Sequence, residues 1–160
     1  DFERAVAASI ILVCWASITL HRLEDRKDVF KTPTSISELC PSVEILRLPM
    51  VEEEKSIELV LQVCEAMKKF NIPRRASPVI AVGGGVCLDV VGLAATLFRR
   101  KTPYVRVPTT TLSYVDASVG AKSGVNFMGS KNRLGAYVPP VAALLDSSFL
   151  RTEEERAVAS

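Results

Sequence analysis

Pro78-Val79-Ile80-Ala81-Val82-Gly83-Gly84-Gly85-Val86-Cys87-Leu88-Asp89 is the stretch on which the fold reading turns. Val79 to Val82 is apolar without alternation, the pattern of a strand covered on both faces in a parallel sheet. Three glycines follow at once, and the apolar run Val90 to Phe98 then reads as a helix beginning at Asp89. Downstream, Val105 to Val107 reads as another strand, closed by Pro108. Upstream, Asn71 to Pro78 holds two prolines and reads as a loop. Before it, Glu53 to Phe70 carries Ile57, Val60, Leu61, Cys64 and Met67 at helical spacing, with Glu, Gln and Lys opposite, which predicts an amphipathic helix. Val43 to Leu48 alternates as a strand would and is ended by Pro49; Ile10 to Val13 reads as a buried strand or as part of a helix. Strands alternating with helices predict βαβ units, hence an α/β fold with a Rossmann-like parallel sheet and flanking helices. There is no internal repeat and no low-complexity tract.

The rest of the composition narrows the class. At 160 residues the chain suits one domain, and 48% hydrophobic with 24% charged residues is a folded composition. A formal net charge of +2 without a long Lys/Arg run points away from nucleic acid and from a membrane surface. Ala5 to Leu20 is the one apolar candidate for a membrane or targeting segment. It is shorter than the roughly 20 residues a spanning helix needs, and its flank Asp1-Phe2-Glu3-Arg4 lacks a signal peptide's positive charge. Cys14, Cys40, Cys64 and Cys87 form no CxxC pair and read as reduced thiols of a cytoplasmic protein. His21 is the single histidine, so no HExxH pair exists. The chain opens at Asp1 without a methionine and reads as a fragment.

Two features carry chemistry. Glycine lets backbone amides approach a ligand closely, and a helix N-terminus behind the turn favours a pyrophosphate. However, GGGVCLD is not GxGxxG, because Leu88 stands at the third glycine position, so a ligand-free tight turn remains the alternative. The second feature is the run from Thr109 to Asn132, which follows a strand end, where open parallel sheets place ligands. It holds Asp116, Lys122, Lys131 and Asn132 between Gly120, Gly124 and Gly129. A glycine-punctuated loop with two lysines suits a phosphate; a solvated surface loop is the plainer reading.

The blocks GGGVCLDVVGLAA, RRKTPYVRVPTTTLSYVDASVGAKSGVN and KNRLGAYVPP, with VEEEKS upstream, resemble the dehydroquinate synthase-like sugar-phosphate cyclases over the last two thirds of the chain. The NRLGAY and DASVGAK forms are most similar to the sedoheptulose 7-phosphate cyclases, the group of the 2-epi-5-epi-valiolone synthases. Dehydroquinate synthases themselves usually read GGKT and KNMIGAF there. The resemblance implies an N-terminal NAD-binding α/β domain, here spanning residues 1–160 with 1–41 poorly matched. It also implies a helical domain that binds a divalent metal, zinc or cobalt, whose ligands are not in this chain. The implied activity is cyclisation of a seven-carbon sugar phosphate with phosphate elimination by a homodimeric carbon–oxygen lyase. Dehydroquinate synthase and a truncated, non-catalytic nucleotide-binding module are the alternatives.

Carried over by position, Gly84, Gly85 and Asp89 match the pyrophosphate turn and its acidic partner. Glu52 and Lys55 match the upstream nucleotide contact, Thr109 and Thr110 the threonine pair beside the cofactor, and Thr152 a segment on the adenine side. Asp116, Lys122, Lys131 and Asn132 match residues between nicotinamide and substrate. Arg100 matches an arginine that reaches the substrate phosphate of the neighbouring subunit. Arg100 also reads as helix-end charge and Glu52 as a favourable acid at a helix start. The family's metal-binding glutamate and histidines fall beyond Ser160, which predicts no catalytic metal in this chain and little turnover by the chain alone.

Overall fold

The structure, a computed structural model, describes residues 10–15, 43–48, 51–75 and 77–152. Apart from its strand, the Ala5 to Leu20 stretch lies outside these residues, as do His21, Cys40 and Pro49.

Five parallel strands form the main sheet: β1 (Ile10–Trp15), β2 (Val43–Leu48), β3 (Val79–Gly83), β4 (Tyr104–Pro108) and β7 (Ala142–Ala143). Their order is β2-β1-β3-β4-β7. Ile10 to Val13 is therefore strand, not helix. The N-terminal part that matches the family least contributes β1, beside β3 near the middle of the sheet. Helix α1 (Ile57–Lys69) links β2 to β3, and α2 (Gly85–Leu97) links β3 to β4. Progression goes one way from β1 to β2 and the other way from β3 to β4. The β1/β3 boundary is thus the switch point where open α/β sheets hold ligands.

Helix α1 is shorter than the amphipathic run suggested. Glu52–Glu54 is a separate 3-10 turn, and Ser56 stands at the helix N-cap with extended backbone. Leu59, Val60, Val63 and Met67 form the buried stripe, whereas Leu61 is exposed. At the other end Asn71 takes a left-handed φ of 53°. Its amide donates to Lys68 O (3.0 Å) and that of Ile72 to Met67 O (3.2 Å), which closes the helix as a Schellman motif.

Helix α2 begins at Gly85, one turn earlier than expected, so the glycine turn is the helix N-terminus itself and Asp89 lies inside the helix. The reason is that Gly84 serves as N-cap with extended backbone (φ −77°, ψ −176°), a place glycine fills at little cost. Cys87, Leu88, Val90, Val91, Leu93, Ala94 and Ala95 are all buried. A helix apolar nearly all round must be covered on both sides. Here the sheet covers one side and an antiparallel hairpin, β5 (Lys122–Phe127) and β6 (Ser130–Tyr137), packs on it as well. A Cβ on Gly92 would sit 2.2 Å from Ser123 Oγ and 3.3 Å from Tyr104 Cε2, which shows how closely hairpin, helix and sheet approach.

That hairpin overturns the expectation of an irregular loop from Thr109 to Asn132. Residues 111–119 form a helical turn with a π-helical segment at Ser113–Ala117, and the strands follow. Met128 (φ 47°) and Gly129 (φ 74°) make the two-residue link, the positive pair that a tight hairpin turn demands. The two strands show no clear apolar alternation, and each carries one glycine, Gly124 paired with Gly135. A Cβ on Gly135 would lie 2.4 Å from Ser123 O and 3.0 Å from Gly124 Cα. Past α2, Arg99, Arg100 and Lys101 carry φ of 52°, 59° and 100° in succession.

Candidate functional site

The side chain at the centre of the site is Lys55, which leaves the 3-10 turn ahead of α1 and is only 5% exposed. Its Nζ donates to Asp89 Oδ2 at 2.7 Å and to Asn132 Oδ1 at 2.7 Å. One ammonium thus joins three elements: the Glu52–Glu54 turn, α2 and β6. An ammonium this buried needs such acceptors, since desolvation is otherwise uncompensated. Burial pushes the Asp89 carboxyl above its ordinary range. The Lys55 hydrogen bond and charge, and the Arg106 charge, pull it back down, while Asp116 adds to the upward push.

Glu52 and Lys131 flank this pair. Lys131 Nζ lies 3.8 Å from Glu52 Oε1, an exposed pair that contributes little stability but sets the local charge pattern. Asn126 Nδ2 donates to Glu52 O (3.2 Å) and Oε1 (3.1 Å), and its Oδ1 accepts from the Asn132 amide at 2.9 Å. The Asn126 amide donates to Lys55 O at 2.8 Å. Asn132 holds φ 53°, an uncommon conformation for a side-chain-bearing residue, and the Asn126 and Lys55 bonds keep it there. A hollow of about 390 Å³ opens beside Glu52, Lys55, Ser56, Asn126 and Lys131.

The glycine turn adjoins the β4 end. The Thr109 amide donates to Gly83 O at 3.0 Å. Thr110 Oγ1 accepts from the Ser113 amide (3.3 Å) and shares a 2.9 Å bond with Ser113 Oγ, so Thr110 caps the helical turn that carries Asp116. A Cβ on Gly84 would stand 3.4 Å from Thr110 Cγ2, whereas one on Gly85 would meet nothing within 4 Å. Open space in front of amides at a helix N-terminus suits an anionic group approaching the backbone.

Glu52, Lys55, Asp89, Lys131 and Asn132 are therefore gathered, with Gly84 beside Thr110 and Asp116 close enough to act on Asp89. Lys122 extends an exposed side chain from β5, while its carbonyl accepts from Arg106 Nη2 at 2.9 Å. Arg100 is not part of this group. It is exposed beyond the C-terminal end of α2, opposite the end that bears the glycine turn, near Arg74 and Arg99. Thr152 ends the 3-10 segment Ser147–Thr152. Asn126 and Arg106 went unnoticed in the sequence. The signal for Arg106 was present, an arginine inside the otherwise apolar strand Tyr104–Pro108. Cys64 Sγ donates to Ala94 O (3.7 Å) and Cys87 Sγ to Val82 O (3.6 Å). Among the described residues no three His, Cys, Asp or Glu side chains gather as a metal site, and no helix is long and apolar enough to cross a membrane.

A Rossmann-like parallel sheet with its polar cluster at the strand C-termini, beside the switch point, defines the class. Within it, the chain belongs to the 3-dehydroquinate synthase N-terminal family, whose model matches residues 45–160. A 2-epi-5-epi-valiolone synthase of Actinomyces sp. is 53% identical over 109 residues, 68% of this chain and 29% of that protein. The solved structure of ValA, a 2-epi-5-epi-valiolone synthase from Streptomyces hygroscopicus subsp. jinggangensis 5008 with NAD+ and Zn2+ bound, superposes with a TM-score of 0.84 at 40% identity, over 96% of this chain and 41% of ValA. A 2-deoxy-scyllo-inosose synthase complexed with carbaglucose-6-phosphate, NAD+ and Co2+ gives 0.81 at 27% identity, over 98% and 40%. The chain thus spans less than half the length of these relatives.

Proposed function

We propose that this chain is the NAD-binding part of a sugar-phosphate cyclase that converts sedoheptulose 7-phosphate to 2-epi-5-epi-valiolone with loss of phosphate. The observation that carries the reading is the buried Lys55–Asp89–Asn132 junction. It ties the upstream turn, the helix behind the glycines and the hairpin into one polar edge of the sheet. The names of the relatives supply the product, and the resemblance of the NRLGAY and DASVGAK forms supplies the substrate.

Bound NAD would supply a hydride acceptor for the substrate carbon that bears a hydroxyl, whose O–H proton leaves separately, and would give the hydride back to that carbon later. The chain's own residues bind and orient. The amides at Gly84 and Gly85 face the pyrophosphate, with Thr109 and Thr110 alongside. Glu52 and Asp89 offer carboxylate oxygens to nucleotide hydroxyls, and Lys55 keeps Asp89 charged while fixing its direction. Thr152 stands on the adenine side. Lys122 and Lys131 provide ammonium groups for the sugar phosphate, and Asp116 and Asn132 lie between substrate and nicotinamide. Arg100, exposed at the far end of α2, serves the substrate phosphate of a second subunit in a homodimer. A divalent metal, zinc or cobalt as in the two solved relatives, completes the proposed enzyme. The thiols of Cys64 and Cys87, held by the Ala94 and Val82 carbonyls, suit a cytoplasmic protein.

The test uses the complete gene product with NAD+ and zinc. Phosphate release is followed with sedoheptulose 7-phosphate and, in parallel, with the heptulosonate phosphate that dehydroquinate synthases use. Release from the first alone supports the reading. Release from the second alone assigns the chain to dehydroquinate synthase, and release from neither favours a non-catalytic module.

A further inference from the structure

Arg106 is the largest fully buried side chain among the described residues, with no exposed surface. It lies in β4 between Ala81 of β3 and Ala143 of β7. Its Nη1 donates to Ala117 O and to Gly120 O (2.6 Å), and its Nη2 to Lys122 O (2.9 Å) and Ser123 Oγ (3.0 Å). All four acceptors are neutral oxygens, and they lie within one seven-residue stretch, Ala117–Ser123. The guanidinium carbon also stands 5.4 Å from the Tyr104 ring centroid. Nε has no partner.

A buried guanidinium satisfied by carbonyls is a weak source of stability, since an apolar residue of similar volume would avoid the desolvation cost. What it does supply is geometry. A planar fork with donors in fixed directions ties the last carbonyl of the π-helical segment, the glycine link and the start of β5 to a single point on the sheet. Asp116 and Lys122 bracket that link. The other bonds within residues 117–122 are local, from the Ser118 amide to Ser113 O (2.8 Å), from Ser118 Oγ to Tyr114 O (2.5 Å) and from the Gly120 amide to Asp116 O (3.2 Å), whereas the fork ties the segment to the sheet.

We infer that Arg106 is the positioning residue of the substrate side: from beneath the sheet edge it holds the Ala117–Ser123 segment so that Asp116 and Lys122 keep a fixed relation to the glycine turn. The inference rests on the proposed function for what those two side chains touch, but not for the clamp itself.

Arg106→Met keeps the volume and removes every donor; Arg106→Lys keeps the charge and loses the fork. In the complete gene product with sedoheptulose 7-phosphate and NAD+, kcat is expected to fall about 100-fold for the Met variant and about 10-fold for the Lys variant, the scale that follows a displacement near 1 Å. The NAD+ dissociation constant, by titration, should stay within about threefold, because the glycine turn and Lys55 are untouched. Limited trypsin digestion should cut after Lys122 about ten times faster in either variant, with cuts after Lys68 and Lys69 at the wild-type rate. A purely structural role would instead speed all cuts together and weaken NAD+ binding by the factor lost in kcat; that result, or a folded Met variant with kcat within about threefold of wild type, overturns the proposal. If the Met variant does not fold, the Lys variant carries the same three readings. If wild type releases no phosphate from sedoheptulose 7-phosphate, the proposed function fails. The local cut after Lys122 still decides whether Arg106 holds the segment.

Discussion

Replacing Lys55 by methionine removes one ammonium and leaves two acceptors stranded. Asp89 keeps a carboxylate whose side chain is 21% exposed, and Asn132 Oδ1 loses its 2.7 Å donor. Breaking a buried pair by deleting one partner costs about 3–5 kcal/mol. Asp89 retains some contact with water, so the lower end, about 3 kcal/mol, applies near neutral pH. The cost must depend on pH. Asp89 already sits above its ordinary range through burial, and losing Lys55 removes the hydrogen bond and the positive charge that hold it down. A carboxyl raised on folding binds more protons in the native state than in the unfolded one. Its stability contribution is therefore present at low pH and lost as pH rises through the folded pKa. The deficit of Lys55→Met should be smallest at about pH 4, the ordinary carboxylate value, and grow toward neutral pH. Urea denaturation of wild type, Lys55→Met, Asp89→Asn and the double variant across that range measures it. The double variant should be more stable than Lys55→Met alone at the upper end, since the uncompensated charge is gone. A deficit below about 1 kcal/mol that is equal at both ends of the range would refute the reasoning, because Lys55 would then be an ordinary solvated lysine.

Three further outcomes separate folding from binding. Gly85→Ala places a methyl where nothing lies within 4 Å, so the thermal midpoint should hold within about 2 °C while NAD+ affinity falls at least about tenfold, read by titration. Gly135→Ala drives a Cβ against the Ser123 backbone and should cost roughly 2–3 kcal/mol in chemical denaturation, with the hairpin amides exchanging fastest. Tyr104→Phe deletes the 2.7 Å bond from the phenol to Val138 O, and a loss of about 1 kcal/mol is expected by the same assay.

Much of the fold was legible because parallel strands and covered helices write their burial directly into composition. Val79–Val82 and the run after Asp89 needed no more than that. Where strands are stabilised by backbone pairing rather than by apolar side chains, the signal disappears: Lys122–Phe127 and the start of Ser130–Tyr137 fell within the run read as loop, because lysines, asparagines and glycines break the apolar pattern there. The start of α2 was displaced for a related reason. Glycine counts against a helix interior yet is acceptable at the cap, and Gly84 and Gly85 stand at that boundary. Glu52, Lys55, Asp89, Lys131 and Asn132 were visible through resemblance, but nothing local says that Lys55 and Asn132, 77 positions apart, share a hydrogen bond. Asn126 and Arg106 act through backbone acceptors, a role that only the folded chain reveals.

The exit of α2 has a consequence for anyone who wishes to harden this protein. A left-handed backbone costs an ordinary residue on the order of 1–2 kcal/mol, and Arg99, Arg100 and Lys101 adopt positive φ one after another. Glycine would relieve each at an entropic penalty of roughly 0.5–1 kcal/mol, so the corner is a natural first target for thermostabilisation. Each such exchange also strips a positive charge from the corner that Arg74 shares with Arg99 and Arg100, and robustness there would be gained at the expense of its pull on anions.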